Sequence, residues 1–218
     1  MSYTELVNEP DSHIIWQKGW LNPSMATNYY KYLRDNLPWV QAYETYTFPI
    51  KNKDGTSAGE ETKKVAVPRL IYYCGDEPKM HAYGSQEYKL DSWEKQVLFP
   101  VVKTANSQLG VKFDSCLVNY YRDKKDSIAW HSDKECKPPN CIVITIALFE
   151  HENESRDFQI RKAYKKGRDP PTKITTIDMK CGDAVVMFGS RVHMDWLHHV
   201  PKRTGKKHIP PRISVTFR

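Results

Sequence analysis

After Gly110 the chain breaks into eight short extended segments, and this punctuation limits the possible folds more than any other feature of the sequence. The segments are Ser115 to Arg122, Ser127 to His131, Cys141 to Phe149, Asp157 to Lys162, Thr172 to Met179, Ala184 to Phe188, Trp196 to Val200 and Arg212 to Arg218. Turn chemistry separates them, as in Lys137-Pro138-Pro139-Asn140, Asp169-Pro170-Pro171 and Cys181-Gly182-Asp183. Upstream, Asn22 and Pro23 open a helix with Ala26, Tyr29, Tyr30, Leu33 and Leu37 at helical spacing, which must end before Pro38. A second helix is predicted from Asp91 or Ser92, with Trp93, Val97, Val101, Ala105 and Leu109 on one face, a bend at Pro100 and a stop at Gly110. Helices first and many short strands after predict an α+β protein whose core is a double-stranded β-helix, or jelly roll, buttressed by N-terminal helices.

The chain has 218 residues, 39% of them hydrophobic, which suits one domain over 1–218. Residues 1–67 read as an N-terminal extension holding the first helix and a hairpin around Lys51 to Glu60, and 111–218 as the core. The first dozen residues are polar and are predicted to be loosely attached. Between these parts, 68–90 carries rings and turn residues and is expected to fold over a site as a lid, with His81 and Tyr83 either facing a substrate or packing the loop down. The sequence has no apolar run of membrane-spanning length and no signal-peptide pattern at Met1, so a soluble intracellular protein is expected, nuclear and/or cytoplasmic and monomeric. Five cysteines without a C-x-x-C pattern indicate no disulfide framework, and Cys136 and Cys141 are expected to be a reduced pair.

Chemistry concentrates in His131-Ser132-Asp133. On an extended segment this i, i+2 spacing turns both side chains to one face, giving a cation one imidazole and one carboxylate. A remote histidine completes a facial triad suited to ferrous iron, and spacing alone leaves His193, His198 and His199 as candidates. In the last segment Arg212, Ser214, Thr216 and Arg218 share a face opposite Ile213, Val215 and Phe217. Two guanidiniums so placed match a small dicarboxylate, and Asn119 and Tyr121, again i, i+2, offer further hydrogen bonds. The formal net charge of +7 draws the chain toward polyanions. Basic residues cluster at Arg161, Lys162, Lys165, Lys166, Arg168 and Lys173 and again at Lys202, Arg203, Lys206 and Lys207.

Asn119-Tyr120-Tyr121-Arg122-Asp123, His131-Ser132-Asp133-Lys134-Glu135, Arg156-Asp157-Phe158, Trp196-Leu197-His198 and the stretch from Pro211 to Arg218 follow one another in a telling order. It is the order of AlkB-type dioxygenases dependent on Fe(II) and 2-oxoglutarate, and the chain resembles that family from about Pro68 onward, most of all its mammalian member acting on single strands. The resemblance implies that His131, Asp133 and His198 bind iron and that Asn119, Tyr121, Arg212, Ser214, Thr216 and Arg218 contact 2-oxoglutarate. It places Glu135 and Arg161 beside an extruded base and makes 68–90 a nucleotide-recognition lid bearing His81 and Tyr83. The activity implied is O2-dependent removal of N-linked methyl groups, of the 1-methyladenine and 3-methylcytosine type, from single-stranded DNA or RNA. A hydroxylase of the same fold acting on a protein or small molecule is the alternative. Three departures stand out: Ser214 where the family usually has Asn, Lys134 where many members have Asp, and a chain that ends at Arg218.

Overall fold

The computed structural model describes residues 3–75, the backbone of 80–83, 86–89 and 91–92, and residues 97–134, 136, 141–163, 173–205 and 208–218. The order begins with strands β1 (Tyr3–Glu9) and β2 (Ser12–Gln17), helix α1 (Pro23–Asn36), and strands β3 (Val40–Lys51) and β4 (Ser57–Gly75). Three short strands follow, β5 (Met80–Tyr83), β6 (Gln86–Lys89) and β7 (Asp91–Ser92), then helix α2 (Phe99–Leu109). The remainder is β8 (Ser115–Tyr121), β9 (Ile128–His131), β10 (Ile142–Leu148), β11 (Ser155–Lys162), β12 (Thr175–Lys180), β13 (Ala184–Phe188), the single helical turn α3 (Val192–Asp195), β14 (Trp196–Val200) and β15 (Arg212–Phe217).

Among the described residues the strands form a nine-stranded sheet and a four-stranded one, apart from the β5–β6 ladder. The large sheet runs β1-β2-β13-β10-β15-β8-β4-β3 with β7 beside β4, and the small one runs β12-β11-β14-β9. This is the jelly roll anticipated from the punctuated strands. The period-two reading of β15 holds, with both of its faces buried. Ile213, Val215 and Phe217 join the apolar cluster that includes Tyr30 and Leu33 of α1 and Val101 and Ala105 of α2. Ser214 and Thr216 turn the other way, toward the small sheet. Register fixes their neighbours: Thr216 lies opposite Thr145 of β10, Ser214 opposite Asn119 of β8, and Arg212 opposite Tyr121. Shifting β15 by one residue would turn every polar group of this face into the apolar layer.

Helix α1 begins as its sequence dictates, with Asn22 Oδ1 accepting from Ser24 N–H at 3.0 Å and Met25 N–H at 3.4 Å, and it ends at Leu37 before Pro38. Helix α2 corrects the prediction at its start. It opens at Phe99, and Asp91–Ser92 is a strand. Pro100 sits in the first turn, where its missing N–H costs nothing, instead of bending a longer helix. Gly110 closes α2 in the left-handed conformation, φ 65°, as anticipated. Trp93 lies outside the described residues.

Of the N-terminal dozen, residues 3–12 are not loose. They form the β1–β2 hairpin, which adds to the large sheet through β2 and β13. Asp183 secures the join by accepting from Gly19 N–H at 2.9 Å and Trp16 Nε1–H at 3.1 Å. Gly189, with φ 115°, lets the hairpin turn approach, since a Cβ there would stand 2.4 Å from the Asp11 carbonyl oxygen. Residues 68–75, expected to begin a lid, run instead as the end of β4 in the large sheet, and β5 pairs with β6 beyond them. Cys136 and Cys141, expected to be reduced, are joined in a disulfide, with Cα atoms 5.2 Å apart and so within the span such a bond requires.

Candidate active site

The antiparallel pairing of β9 with β14 places His131 opposite His198. Their ring centroids are 4.2 Å apart. Asp133, two residues beyond His131, reaches the same point: its Oδ2 lies 3.5 Å from His198 Nε2. One donor atom from each of His131, Asp133 and His198 falls within 4.8 Å of the other two, an arrangement that fits a single cation. Asp133 is 2% exposed, and its Oδ2 accepts no hydrogen bond from any described residue. A buried, bare carboxylate oxygen facing two imidazoles lacks a partner that a metal would supply.

The protonation states suit ligation. His131 Nδ1 lies 2.9 Å from the Ala129 carbonyl, which can only accept, so Nδ1 carries the proton and Nε2 presents its lone pair. Burial pushes the His131 pKa down, and burial with the neighbouring His131 pushes His198 down to about 3. Burial alone would raise the Asp133 pKa, but the Arg218 guanidinium and the two imidazoles outweigh it and hold the carboxyl well below its ordinary range. Arg218 Nη2 donates to Asp133 Oδ1 at 2.8 Å, leaving Oδ2 toward the histidines. Phe158 stacks on His198 with centroids 5.5 Å apart and planes 19° from parallel.

The spacing of His193, His198 and His199 left the third histidine open, and the fold separates them. His198 completes the cluster. His199, its neighbour on the strand, points away and packs against Trp130 with centroids 4.3 Å apart, while His193 sits on α3 near Cys136 and Cys141.

Behind the cluster lies a polar chamber between the sheets, lined by Asn119, Tyr121, Thr145, Phe158, Ser214 and Thr216. Arg212, at 0% exposure, lies behind Ser214. Its Nη2 donates to Ser214 Oγ at 3.2 Å and contacts Met179 Sδ at 3.6 Å, while Nε and Nη1 have no partner among the described residues. Burial lowers its pKa to about 10. No carboxylate among the described residues makes an ion pair with it, so a buried cation with bare donors waits for an anion to complete it. A dicarboxylate whose far end meets Arg212 satisfies that requirement, which is the test 2-oxoglutarate must pass here.

Several contributors had no role assigned to them from the sequence. Arg69, 2% exposed, donates from Nε to Asn119 Oδ1 at 2.8 Å and so fixes the amide in the chamber. Arg156 is buried against the Tyr121 ring, 5.3 Å from its centroid, and donates from Nη1 to the Asp123 carbonyl. Thr145 Oγ1 lies 3.1 Å from Thr216 Oγ1. A lone hydroxyl in the apolar run Ile142–Leu148 was the available signal for Thr145. Outside the chamber, an open cleft of ≈ 620 Å³ leads to His131 and Asp133 past Tyr46, Arg69, Tyr73, His199 and Lys202. Arg161 stacks on Trp130 at 4.4 Å, next to His199. Lys134 is exposed. Glu135, Lys165, Lys166, Arg168, Lys206 and Lys207 lie outside the described residues, as do the side chains of His81 and Tyr83.

A jelly roll with two histidines and an aspartate at one end of a polar chamber backed by a buried arginine defines an iron and 2-oxo acid oxygenase as a class. The chain belongs to the 2OG-Fe(II) oxygenase superfamily, whose family model matches residues 13–218, and the superfamily's cofactors are Fe(II) and 2-oxoglutarate. Within it, the chain is similar to the alpha-ketoglutarate-dependent dioxygenase alkB homolog 3 of Homo sapiens, 30% identical over 83% of this chain and 60% of that one. It is also similar to the DNA oxidative demethylase ALKBH2 of Arabidopsis thaliana, 28% identical over 95% of this chain and 66% of the relative. The chain spans about half to three-fifths of the length of the alkB homolog 3 relatives it matches. In fold it resembles the structure of OsALKBH1, TM-score 0.57 at 15% identity over 99% of both chains. No helix among the described residues is long and apolar enough to cross a membrane.

Proposed function

We propose that the chain is an oxidative demethylase that removes N-linked methyl groups, of the 1-methyladenine and 3-methylcytosine type, from single-stranded DNA or RNA. The observation that carries the reading is the cleft of ≈ 620 Å³, in which tyrosine and histidine rings and the cations of Arg69 and Lys202 line an open approach to His131 and Asp133. Rings offer stacking faces to a base, and cations meet the phosphates beside it. The name of one similar protein, a DNA oxidative demethylase, supports oxidative demethylation of a nucleic acid.

Bound iron, with 2-oxoglutarate and O2, supplies the oxidation of the methyl group, and the hydroxylated methyl then leaves as formaldehyde. The chain's own residues do the rest. His131, Asp133 and His198 hold the metal with both imidazoles neutral. Arg218 binds one oxygen of Asp133 so that the other faces the metal. Arg212 and Ser214 receive the far carboxylate of 2-oxoglutarate, and Asn119, held by Arg69, offers its amide with the Tyr121 and Thr216 hydroxyls. Phe158 keeps His198 in orientation and excludes water from its ring. In a duplex the target base must first be unstacked at a cost of a few kcal/mol, which is smallest in a single strand.

The test is mass spectrometry of a single-stranded oligonucleotide carrying 1-methyladenine or 3-methylcytosine, incubated with protein, Fe(II), ascorbate and O2, with and without 2-oxoglutarate. Loss of one methyl mass that requires 2-oxoglutarate and disappears in His131→Ala supports the reading. Succinate formation with an untouched oligonucleotide overturns the substrate class and leaves a hydroxylase of protein or small molecules.

A further inference from the structure

We infer that Cys136, Cys141 and His193 form a second metal site, for zinc or a cation of similar softness, which opens when the Cys136–Cys141 disulfide is reduced. Their donor atoms lie within 4.8 Å of one another and form a group separate in membership from His131, Asp133 and His198. Cys141 is 3% exposed, His193 9% and Cys136 half-buried, so a cation there is largely screened by protein on the Cys141 side. The fold holds the three donors from separate directions. Cys136 follows Asp133 and donates its backbone N–H to the Asp133 carbonyl at 3.1 Å. Cys141 directly precedes β10, and His193 is presented by α3, just before β14.

Two sulfurs and an imidazole are a zinc donor set. The imidazoles and carboxylate of the neighbouring cluster, by contrast, suit ferrous iron, so ligand softness sorts the two cations. Zinc bonds of about 2.3 Å to sulfur and about 2.0 Å to nitrogen require donors roughly 3.5 to 3.8 Å apart. Breaking the sulfur–sulfur bond lets the two sulfurs move apart toward that spacing, with the imidazole within 4.8 Å of both, and water completes a tetrahedron. The exchange balances: a dithiol reductant gives two electrons and two protons to the disulfide and becomes a disulfide itself. Metal binding then releases the two thiol protons.

The two states differ in what they connect. The disulfide closes a loop within the β9–β10 connection alone, whereas the metal form also binds that connection to α3. Since the connection follows β9 and α3 leads into β14, the metal form adds a second tie between two segments that the β9–β14 pairing already joins beside the iron cluster.

Cobalt distinguishes the sites, because thiolate ligation gives a strong near-ultraviolet charge-transfer absorption that imidazoles and carboxylates do not. The full chain, reduced with a phosphine and kept anaerobic, is titrated with Co(II), and zinc is added afterwards. The expected result is a charge-transfer band in the reduced chain that zinc bleaches, that is missing from the disulfide form, and that persists in His198→Ala and Cys181→Ser. Cys136→Ser/Cys141→Ser removes the band, and His193→Gln weakens cobalt affinity by about tenfold or more. Circular dichroism confirms that each variant is folded, and the reduced-against-oxidised comparison needs no substitution at all. No band in the reduced chain, a band surviving the double serine variant, or undiminished affinity in His193→Gln overturns the site.

Discussion

Replacing Arg212 by methionine should make the protein more stable and unable to hold 2-oxoglutarate. Arg212 is fully buried, and holding its guanidinium there moves the pKa from 12.5 to about 10, which corresponds to roughly 3 kcal/mol against the folded state. Methionine fills similar space without the charge. The lost bond to Ser214 Oγ returns about 1 kcal/mol, as does any imperfect packing against Phe158, whose ring centroid lies 6.0 Å from the guanidinium carbon. The balance favours Arg212→Met by about 1 to 2 kcal/mol without cofactors, or a rise in melting temperature of a few degrees for a chain of this size. Urea denaturation of both proteins, with Mn(II) in place of iron and with or without 2-oxoglutarate, checks this. At a hundredfold excess over Kd the parent should gain about 2.7 kcal/mol from 2-oxoglutarate and the variant nothing. A variant less stable than the parent without 2-oxoglutarate, or equally stabilised by it, would refute the idea that the arginine is held in deficit for an anion.

Thr145→Val removes the hydroxyl 3.1 Å from Thr216 while keeping shape, so KM for 2-oxoglutarate should rise about fivefold with kcat little changed, a split that steady-state kinetics reads directly. His198→Ala should abolish stoichiometric iron binding, whereas His199→Ala should keep full iron content and weaken only oligonucleotide affinity; metal analysis with a binding assay separates the two. Stability of the metal-free protein should fall between pH 7 and pH 5. The folded-state pKa values of His131 and His198 lie below those of the unfolded chain, so acid protonates the unfolded state first. For His198, at about 3, this amounts to roughly 2 kcal/mol by pH 5, visible as a falling urea midpoint. A flat midpoint across that range would mean the imidazoles are not buried as neutral ligands.

What could be read from the sequence was local and periodic. β15 was legible because a central strand alternates under two different environments, and His131 with Asp133 because i, i+2 on one strand needs no knowledge of the rest. The third histidine was named only by the resemblance, not by its spacing: whether His198 or its neighbour faces Asp133 depends on the register of β14 against β9, which no local pattern encodes. Arg69 is 50 residues from the Asn119 it fixes and looked like any other basic residue. The β1–β2 hairpin was missed because an edge ribbon shows mixed polarity, with Val7 alone deeply buried in β1. The start of α2 was misplaced because Pro100 reads equally as a kink inside a helix or as a first-turn residue, and only the strand pairing of Asp91–Ser92 with β4 decides.

The position of β15 between β8 and β10 also bears on how the large sheet is completed. It is the last of these strands to leave the ribosome, yet it belongs in the middle of the large sheet. Until it arrives, β8 and β10 present open edges to each other and to the solvent, a state in which a newborn chain is most prone to pair with a stranger. Arg212, Ser214 and Thr216 come with β15, so the seat proposed for the co-substrate is complete only once that strand lies between β8 and β10.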